Sequence, residues 1–296
     1  MPAARIVLLT IIAMIAFASN SLLCRVALKH TAIDPASFTT VRLVSGALAL
    51  WLIVRLRTSG ASGAQASPAG RGNWLSALAL YAYAAGFSFA YVNLAAASGA
   101  LLLFGAVQAT MIGRGIAAGE RLAPRQLAGL LLALAGLVGM LLPGLTAPPL
   151  GGALLMMGAG VAWGVYSLRG KGARDATAVT AGNFMRAAPI AVAMSAAIAL
   201  AGTDGVRLDG AGLLYAVASG AITSGMGYAL WYAVLPSLRA TSAATVQLSV
   251  PVIAALGGVA LLGEALTLRL VLASAAILGG IALVILKKRT GAPPQR

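Results

Sequence analysis

Acidic and metal-binding side chains are scarce in this sequence. Of 296 residues, six are Asp or Glu, one is His and one is Cys. A single cysteine, Cys24, excludes an internal disulfide framework and a cysteine-based metal site. The lone His30 stands beside Lys29 without a second His at ligand spacing, so neither a catalytic dyad nor a metal centre is predicted. We therefore expect neither an enzyme nor a cofactor.

The positions of the few acids exclude a common mode of ion coupling. They are Asp34, Glu120, Asp175, Asp204, Asp209 and Glu264. All fall in connectors between apolar runs, whereas a proton relay or sodium site normally has its carboxylate inside the membrane. A Gly-rich phosphate loop ending in Lys-Ser or Lys-Thr is also missing, so ATP use is not indicated. The transport mechanisms that the sequence still permits are facilitated diffusion, exchange, and ion coupling through a group other than a buried carboxylate.

Apolar residues dominate what remains. The sequence is 60% hydrophobic and only 9% charged, far from the composition of a soluble globular domain. A membrane-spanning helix needs about 20 apolar residues. Ten runs meet this length, near 6–28, 36–56, 74–95, 98–118, 125–143, 150–168, 177–201, 210–234, 240–262 and 267–286. We predict an all-α polytopic membrane protein with ten transmembrane helices.

The basic residues indicate orientation in a membrane. The net charge is +15, but the 21 Lys and Arg lie mostly in short connectors and form no basic patch, so nucleic acid is not a predicted partner. With the amino terminus inside, fifteen of them fall on the inner side and four on the outer side. This asymmetry places both termini in the cytoplasm.

The sequence repeats at a spacing of 144 residues. The segment GERLAPRQLAGLLLALAGL begins at Gly119, and GEALTLRLVLASAAILGGI begins at Gly263. At this spacing the aligned pairs are Arg42 with Arg186, Gly113 with Gly257, Gly119 with Gly263, Glu120 with Glu264, Leu122 with Leu266, Arg125 with Arg269, Leu134 with Leu278 and Gly136 with Gly280. Leu, Ala and Gly match by chance in such helices, but Arg and Glu are rare here.

The repeat predicts two five-helix units, residues 1–147 and 148–286, followed by a basic tail at 287–296. Because five is odd, the second unit crosses the membrane in the opposite sense, which is the inverted-repeat design of many transporters. The substrate path is then expected in a central cavity between the units. Glu120 and Glu264 each precede the last helix of their unit, where a carboxylate favours the positive helix end, so we predict a structural role for both.

Two arginines lie inside predicted helices. Arg42 and Arg186 occupy equivalent positions in the two units, which puts one cation near each mouth of the cavity. A charge there is costly unless it is paired or reaches water. Each Arg either extends toward Asp34 or Asp175, respectively, or caps a neighbouring helix. The alternative is that they form gates or bind a substrate carboxylate.

Amide and aromatic side chains recur at helical spacing within the apolar runs. The candidates for substrate binding are Asn20, Tyr83, Gln108, Trp163, Tyr228, Trp231 and Gln247. Such a set suits a moderately polar organic solute, because amides orient its polar end and rings cover its apolar part. Packing between helices is the competing interpretation. Pro251 interrupts the hydrogen bonding of its helix and is a candidate hinge.

These features resemble the drug/metabolite transporter superfamily and, within it, the EamA family of duplicated five-helix units. The resemblance spans residues 6–286 and is carried by the two repeated segments, by WGVYSL at 163–168, and by Arg42 and Arg186. The chain is most similar to the YddG-type aromatic amino-acid exporters of bacterial inner membranes. The resemblance implies that helices 5 and 10 are peripheral and that the other eight surround the cavity.

The sequence departs from the family pattern in two places. Family members often carry Pro in helix 4 as well as in helix 9, but the position equivalent to Pro251 is Val107, so Gly99 and Gly105 are candidate hinges instead. The segment FASNSL at 17–22 stands where a Trp-Gly pair is usual. This difference sets Asn20 apart as a candidate substrate contact.

Together, the residues and the resemblance imply a multi-pass transporter of the bacterial inner membrane. We expect it to export amino acids, aromatic and other neutral ones with broad specificity, by alternating access without ATP hydrolysis. The expected partners are an amino-acid substrate and the lipid bilayer, and a monomer is expected to function. The alternative is a multidrug or other small-metabolite exporter of the same superfamily, and an importer or nucleotide-sugar carrier on this fold also stays open.

Overall fold

All regular secondary structure in the part of the chain that the structure describes is helical. The structure is a computed structural model, and it describes residues 2–59, 72–119, 123–142, 144, 147–170, 175–202, 206–238 and 246–285. Within these ranges there is no β-strand, so the predicted all-α class is confirmed. The predicted basic tail at 287–296 lies outside the described residues.

The first half of the chain holds five helices. They are α1 (Ala3–His30), α2 (Pro35–Ser59), α3 (Trp74–Tyr91), α4 (Ala96–Ala117) and α5 (Pro124–Leu141). The predicted runs at 74–95 and 98–118 placed the break between α3 and α4 a few residues too late, because the connector is 92–95. Gly99 lies in the first turn of α4, where a Cβ would stand 2.4 Å from the ring of Tyr91.

The second half follows the same order. Its helices are α6 (Leu150–Gly170), α7 (Ala176–Leu200), α8 (Gly210–Val234), α9 (Ser249–Leu262) and α10 (Leu268–Ile285). The middle of α8, Ala218–Met226, is a π-helix, a wider turn that is often found at functional sites. The predicted run at 240–262 is described only from residue 246 onward.

Polar side chains fix where several helices begin. Asn73, Asp175 and Asp209 precede α3, α7 and α8, and each accepts a hydrogen bond from the backbone N–H three residues later, at 2.9, 3.0 and 3.2 Å. Such a cap typically stabilises a helix by about 1 kcal/mol. Two of the six acids, Asp175 and Asp209, are among these caps.

The helices have the length and composition of membrane spans. Among the described residues, α1, α2 and α4 to α8 are long and apolar enough to cross a membrane, seven in all, and α9 and α10 are apolar but shorter. Leu48, Leu131 and Leu214 are 62%, 59% and 68% exposed on outer faces, as expected of side chains that face lipid. The chain is a polytopic membrane protein, and the count of ten spans stays a prediction.

Helices α5 and α10 form a pair at the side of the bundle. They pack mainly against each other, with fewer contacts to α4. Small residues allow the close approach, because a Cβ on Gly136 would lie 2.7 Å from that of Ala276, and one on Gly280 would lie 2.4 Å from the Gly129 carbonyl oxygen. This placement agrees with the peripheral position that the family resemblance implied.

The remaining helices enclose the centre of the molecule. The main contacts join α3 with α6, α2 with α7, α4 with α6, α2 with α8, and α1 with both α8 and α9. Each of these contacts connects a helix of the first half with one of the second. The centre of the bundle is therefore an interface between the two halves, and that is where the functional side chains meet.

Candidate functional site

Aromatic rings from four helices meet at the centre of the bundle. We call Phe17, Tyr83, Phe87, Trp163, Tyr166, Tyr228 and Trp231 the aromatic cluster. The ring of Trp163 lies in its middle, with centroids 4.8 Å from Tyr83, 5.0 Å from Tyr228 and 5.4 Å from Tyr166. Phe17 of α1 approaches Tyr228 at 5.8 Å. The cluster offers several ring faces and edges to an apolar or cationic group.

A chain of buried polar side chains adjoins the cluster. The hydroxyl of Tyr83 accepts hydrogen bonds from Asn20 Nδ2 at 3.3 Å and from Arg42 Nη2 at 2.9 Å. The side-chain amide oxygen of Asn20, Oδ1, accepts from the hydroxyls of Ser219 at 2.6 Å and Thr223 at 3.2 Å. These residues, together with Ser224, form what we call the polar network. It connects α1, α2 and α3 with α8.

The π-helical part of α8 brings its hydroxyls into this network. A π-helix has a wider turn than an α-helix, so residues four and five positions apart share a face, as Ser219, Thr223 and Ser224 do. Gly220 lets α8 approach α2, because a Cβ there would lie 2.1 Å from the Arg42 carbonyl oxygen. Sequence reasoning missed Ser219 and Thr223. Their signal was only Ser and Thr spaced by four in an apolar run.

Two adjoining cavities lie beside the aromatic cluster. The larger is about 300 Å³ and is lined by Phe17, Val107, Gln108, Met111, Trp163, Ser167, Leu168, Gly170, Tyr228, Trp231, Tyr232, Leu235, Leu238 and Gln247. The smaller is about 20 Å³ and is lined by Phe17, Asn20, Ser21, Tyr83, Phe87, Leu103, Phe104, Trp163, Thr223 and Tyr228. Phe17, Trp163 and Tyr228 border both. The larger volume is at the lower limit of a small-molecule site.

All seven candidates for substrate binding line one or both cavities. Gln108, Trp231 and Gln247 line only the larger one. Asn20 and Tyr83 line only the smaller one, and the other two candidates are shared. The structure therefore brings together residues from six helices or helix ends that are far apart in sequence. That they bind substrate stays a prediction.

Arg42 is buried at the centre rather than extended toward a membrane surface. It is 1% exposed, and its guanidinium donates from Nη2 to Tyr83 and from Nε to Ser224 Oγ at 3.3 Å. The interpretation that it reaches toward Asp34 is wrong, since that carboxylate is bonded elsewhere.

Asp34 is held in the loop between α1 and α2. Its carboxylate accepts from the backbone N–H of Ser37 at 2.8 Å and of Arg207 at 3.0 Å. Burial alone would raise the pKa of Asp34, but the hydrogen bonds from Ser37 and Arg207 outweigh it and hold the pKa below its ordinary value. Asp34 thus starts α2 and ties it to the segment before α8.

The other predicted gate and hinge residues lie outside the cavity walls. Arg186 is half-buried and donates from Nη1 to the Gly182 carbonyl at 2.9 Å. Gly99 packs against Tyr91. Pro251 lies in the first turn of α9 rather than in mid-helix, because the helical residues before it are interrupted at Leu248. Its missing N–H therefore removes no hydrogen bond within α9, and hinge roles stay predictions.

An ion pair closes one end of the bundle, which we call the Glu264 end. Arg25 of α1 donates from Nε to Glu264 at 3.2 Å and from Nη1 to the carbonyls of Tyr91 and Val92 at 2.9 and 3.0 Å. The other oxygen of Glu264 accepts from the backbone N–H of Ala96 at 2.8 Å. The carboxylate thus joins the loop after α9 to α1 and to the start of α4.

This arrangement corrects the role predicted for Glu264. It was expected to stabilise the start of α10, but it caps α4 in the other half of the chain. Gly263 adopts a left-handed conformation with φ of 61°, and the Glu264 N–H turns back to the Gly258 carbonyl at 3.1 Å. The side chain then faces α4. Its predicted counterpart, Glu120, lies outside the described residues.

Hydrogen bonds between Arg169 and uncharged side chains join helices at the opposite end, which we call the Arg169 end. Arg169 of α6 donates to Ser76 Oγ at 3.1 Å and to Asn73 Oδ1 at 3.2 Å. The backbone N–H of Asn73 donates to Asn183 of α7 at 2.9 Å. Ser167, Gly170 and Leu238, which line the larger cavity, lie near the same end of their helices. The larger cavity therefore lies toward the Arg169 end.

The site is suited to binding and orienting a small organic molecule. It combines ring faces, two glutamine amides and a buried guanidinium. Among the described residues, no three His, Cys, Asp or Glu side chains are grouped so that they could hold a metal ion. The thiol of Cys24 is fully buried.

Comparisons with known proteins give the family. Residues 150–286 match the EamA-like transporter family. The chain is 58% identical over 285 residues to an uncharacterized protein of Pseudomonas aeruginosa, a match that covers 96% of each chain. A protein of known crystal structure, 23% identical, aligns over 96% of this chain and 98% of its own with a TM-score of 0.65, which shows a shared fold. The chain belongs to the EamA-like transporter family.

Proposed function

We propose that this transporter exports amino acids, aromatic and other neutral ones with broad specificity, across the bacterial inner membrane. The observation that carries the proposal is the larger cavity, whose walls combine the rings of Trp163, Tyr228 and Trp231 with the amides of Gln108 and Gln247. Rings cover the apolar part of such a solute, and amides bond to its polar end. The same chemistry supports the YddG-type resemblance.

Helix packing supports two inverted five-helix repeats at 1–147 and 148–286. The spacing of 144 residues carries α1 to α5 onto α6 to α10. Contacts follow this exchange: α1 meets α8 as α6 meets α3, and α1 meets α9 as α6 meets α4. Three of the five pairs that map onto themselves, α2 with α7, α4 with α9, and α5 with α10, are also in contact. This pattern is expected of a pseudo-twofold axis through the site.

The two ends of the site differ, which supports alternating access. The Glu264 end is closed by an ion pair, whereas the larger cavity lies toward the Arg169 end. The positive-inside rule assigns the Arg169 end and both termini to the cytoplasm. In this conformation the site would accept a solute from the cytoplasm, as an exporter must. We propose that a monomer suffices, because the site is built within one chain.

A second function, export of other small metabolites or drugs, is favoured by the apolar part of the same walls. Leu168, Leu235 and Leu238 line the larger cavity and select poorly among apolar groups. Organic cations suit the site less well, because Arg42 places a positive charge near it. The two functions differ in which solutes move.

Flux through purified protein tests the proposal. Reconstituted protein should carry labelled phenylalanine or tryptophan down a gradient without ATP, and Trp163→Ala should lower the flux about 10-fold or more, because its ring is the centre of the cluster. Trp74→Ala is the matched control, since Trp74 is 60% exposed at the start of α3. Flux of organic cations without flux of amino acids would overturn the amino-acid assignment.

A further inference from the structure

Arg42 is a buried cation, and one of its guanidinium nitrogens makes no hydrogen bond to the described residues. The side chain is 1% exposed. Nε and Nη2 donate to neutral hydroxyls, and the guanidinium carbon lies 5.1 Å from the ring centroid of Tyr83 and 4.9 Å from that of Phe87. Nη1 is buried and has no hydrogen-bond partner among the described residues. The side chain therefore has an unfilled donor.

No carboxylate in the described ranges offsets this charge. The four acids there are bonded elsewhere: Asp34 to Ser37 and Arg207, Asp175 to Ala178, Asp209 to Gly212, and Glu264 to Arg25 and Ala96. Within the described ranges, the ion pair between Arg25 and Glu264 does not include Arg42. The guanidinium is thus balanced by dipoles and ring faces alone.

A buried cation without a counter-charge is costly. The penalty is several kcal/mol even after relaxation, and a guanidinium does not lose its proton. The ring faces and hydroxyls around Arg42 offset only part of this desolvation penalty. An anion delivered to Arg42 would recover more, because carboxylates form short, charge-assisted hydrogen bonds with guanidinium. Retaining such a charge beside a cavity is understandable if the ligand supplies the anion.

Tyr83 connects Arg42 to the cavities. Its ring lines the smaller cavity, while its hydroxyl is bonded to Arg42 and to Asn20. The smaller cavity, at about 20 Å³, holds little more than one water-sized group. It adjoins the larger cavity at Trp163, where a side chain has room. The smaller cavity thus places the polar side chains of Asn20 and Thr223 beside Tyr83, and the larger cavity next to it has room for an aromatic group.

The geometry points to Arg42 and Tyr83 as the subsite that recognises the carboxylate of the transported solute. The inference rests on the proposed function and narrows its substrate class to aromatic or bulky molecules that carry an anionic group. The carboxylate accepts hydrogen bonds from Arg42 Nη1 and from the Tyr83 hydroxyl, and the side chain occupies the larger cavity. Amines without a carboxylate bring a second positive charge toward the guanidinium and are disfavoured.

Competition in the wild-type protein tests the subsite without any mutation. Uptake of labelled phenylalanine into proteoliposomes is measured with 3-phenylpropionate, which keeps the carboxylate, or with phenethylamine, which keeps the amine. We expect 3-phenylpropionate to compete about 10- to 100-fold better, the range expected of a hydrogen bond to a charged group. Equal competition by the two compounds, with phenylalanine flux intact, overturns the subsite and leaves the proposed function standing.

Substitution adds an independent readout. Arg42→Gln keeps donors but removes the charge, and 3-phenylpropionate should raise the melting temperature of the wild type but not of this variant. Arg42→Lys should keep part of that response. A melting temperature raised equally in wild type and Arg42→Gln overturns the assignment. Absence of any phenylalanine flux in the wild type would instead overturn amino-acid export and, with it, the amino-acid carboxylate as ligand.

Discussion

Glu264 joins the loop after α9 to two helices of the first half of the chain. One carboxylate oxygen bonds Arg25 and the other bonds the backbone of Ala96, and the two charged side chains are only 12% and 9% exposed. A pair shielded in this way is screened less by water than a surface salt bridge. If the protein alternates its access, this contact must open when the site faces the other side of the membrane.

Replacing Glu264 by Gln should favour opening at that end. The amide keeps the shape of the side chain but loses the charge that attracts Arg25. We expect a cysteine at Ser21, a buried position one turn from Arg25 that lines the smaller cavity, to react with a thiol reagent about 10-fold faster in Glu264→Gln, since a hydrogen bond to a charged group contributes about 1.5–3 kcal/mol.

Asp209→Asn is the matched control for this substitution. It also exchanges a carboxylate for an amide, but Asp209 caps α8 and does not contact Arg25. The control should leave the rate at Ser21→Cys unchanged. If Glu264→Gln labels no faster than wild type, the ion pair does not hold the end closed.

Sequence reasoning identified lining residues better than the contacts between them. Polar and aromatic side chains such as Asn20, Gln108 and Trp163 stand out within apolar runs, and all of them line the cavities. The pairing of Arg25 with Glu264 spans 239 positions and depends on how the helices pack. A single sequence carries no record of such a contact, so Glu264 was assigned to the helix next to it.

Helix α8 has the least regular hydrogen bonding of the helices that build the site. Its π-helical segment, Ala218–Met226, packs against α2 and carries the hydroxyls of the polar network. Gly220 permits the approach, since an added Cβ would lie 2.1 Å from both the Arg42 carbonyl oxygen and Ser45 Oγ. The position of Arg42 in α2 thus depends on a glycine, Gly220, in α8.

Gly220→Ala should destabilise the protein by about 1–3 kcal/mol, because the methyl group must displace the backbone of α2. Gly158→Ala is the matched control: Gly158 is helical and exposed, with open space at its Cβ position. The Gly158→Ala change should leave the free energy of unfolding the same or raise it by about 0.5–1 kcal/mol, because alanine lowers the conformational entropy of the unfolded chain. Thermal unfolding in detergent measures both, and equal melting temperatures would contradict the close packing.

The length of the apolar runs predicted where the helices lie, but it did not predict where each helix ends or which turns are π-helical. The predicted runs overlap each described helix, because about 20 apolar residues in lipid must be helical. The break near Gly99 was misplaced, since apolar residues continue through the connector. The π-helix in α8 was not predicted, because apolar length does not distinguish a π-helical turn from an α-helical one.

At the scale of the whole molecule, the two halves of the chain build one site between them. Neither half holds the aromatic cluster alone, because Tyr83 comes from the first and Trp163 and Tyr228 from the second. The internal spacing of 144 residues predicted this interface as the substrate path. The direction of transport and the identity of the solute depend on energies that no residue pattern displays.

Protection of the larger cavity by its solute tests the central claim most directly. Ser167 lines that cavity, and the native Cys24 is fully buried, so the wild type is an unreactive control. Labelling of Ser167→Cys by a small maleimide should slow as phenylalanine is added, with half of the effect near the concentration that half-saturates flux. Unchanged labelling at concentrations that saturate flux would show that phenylalanine does not pass through this cavity.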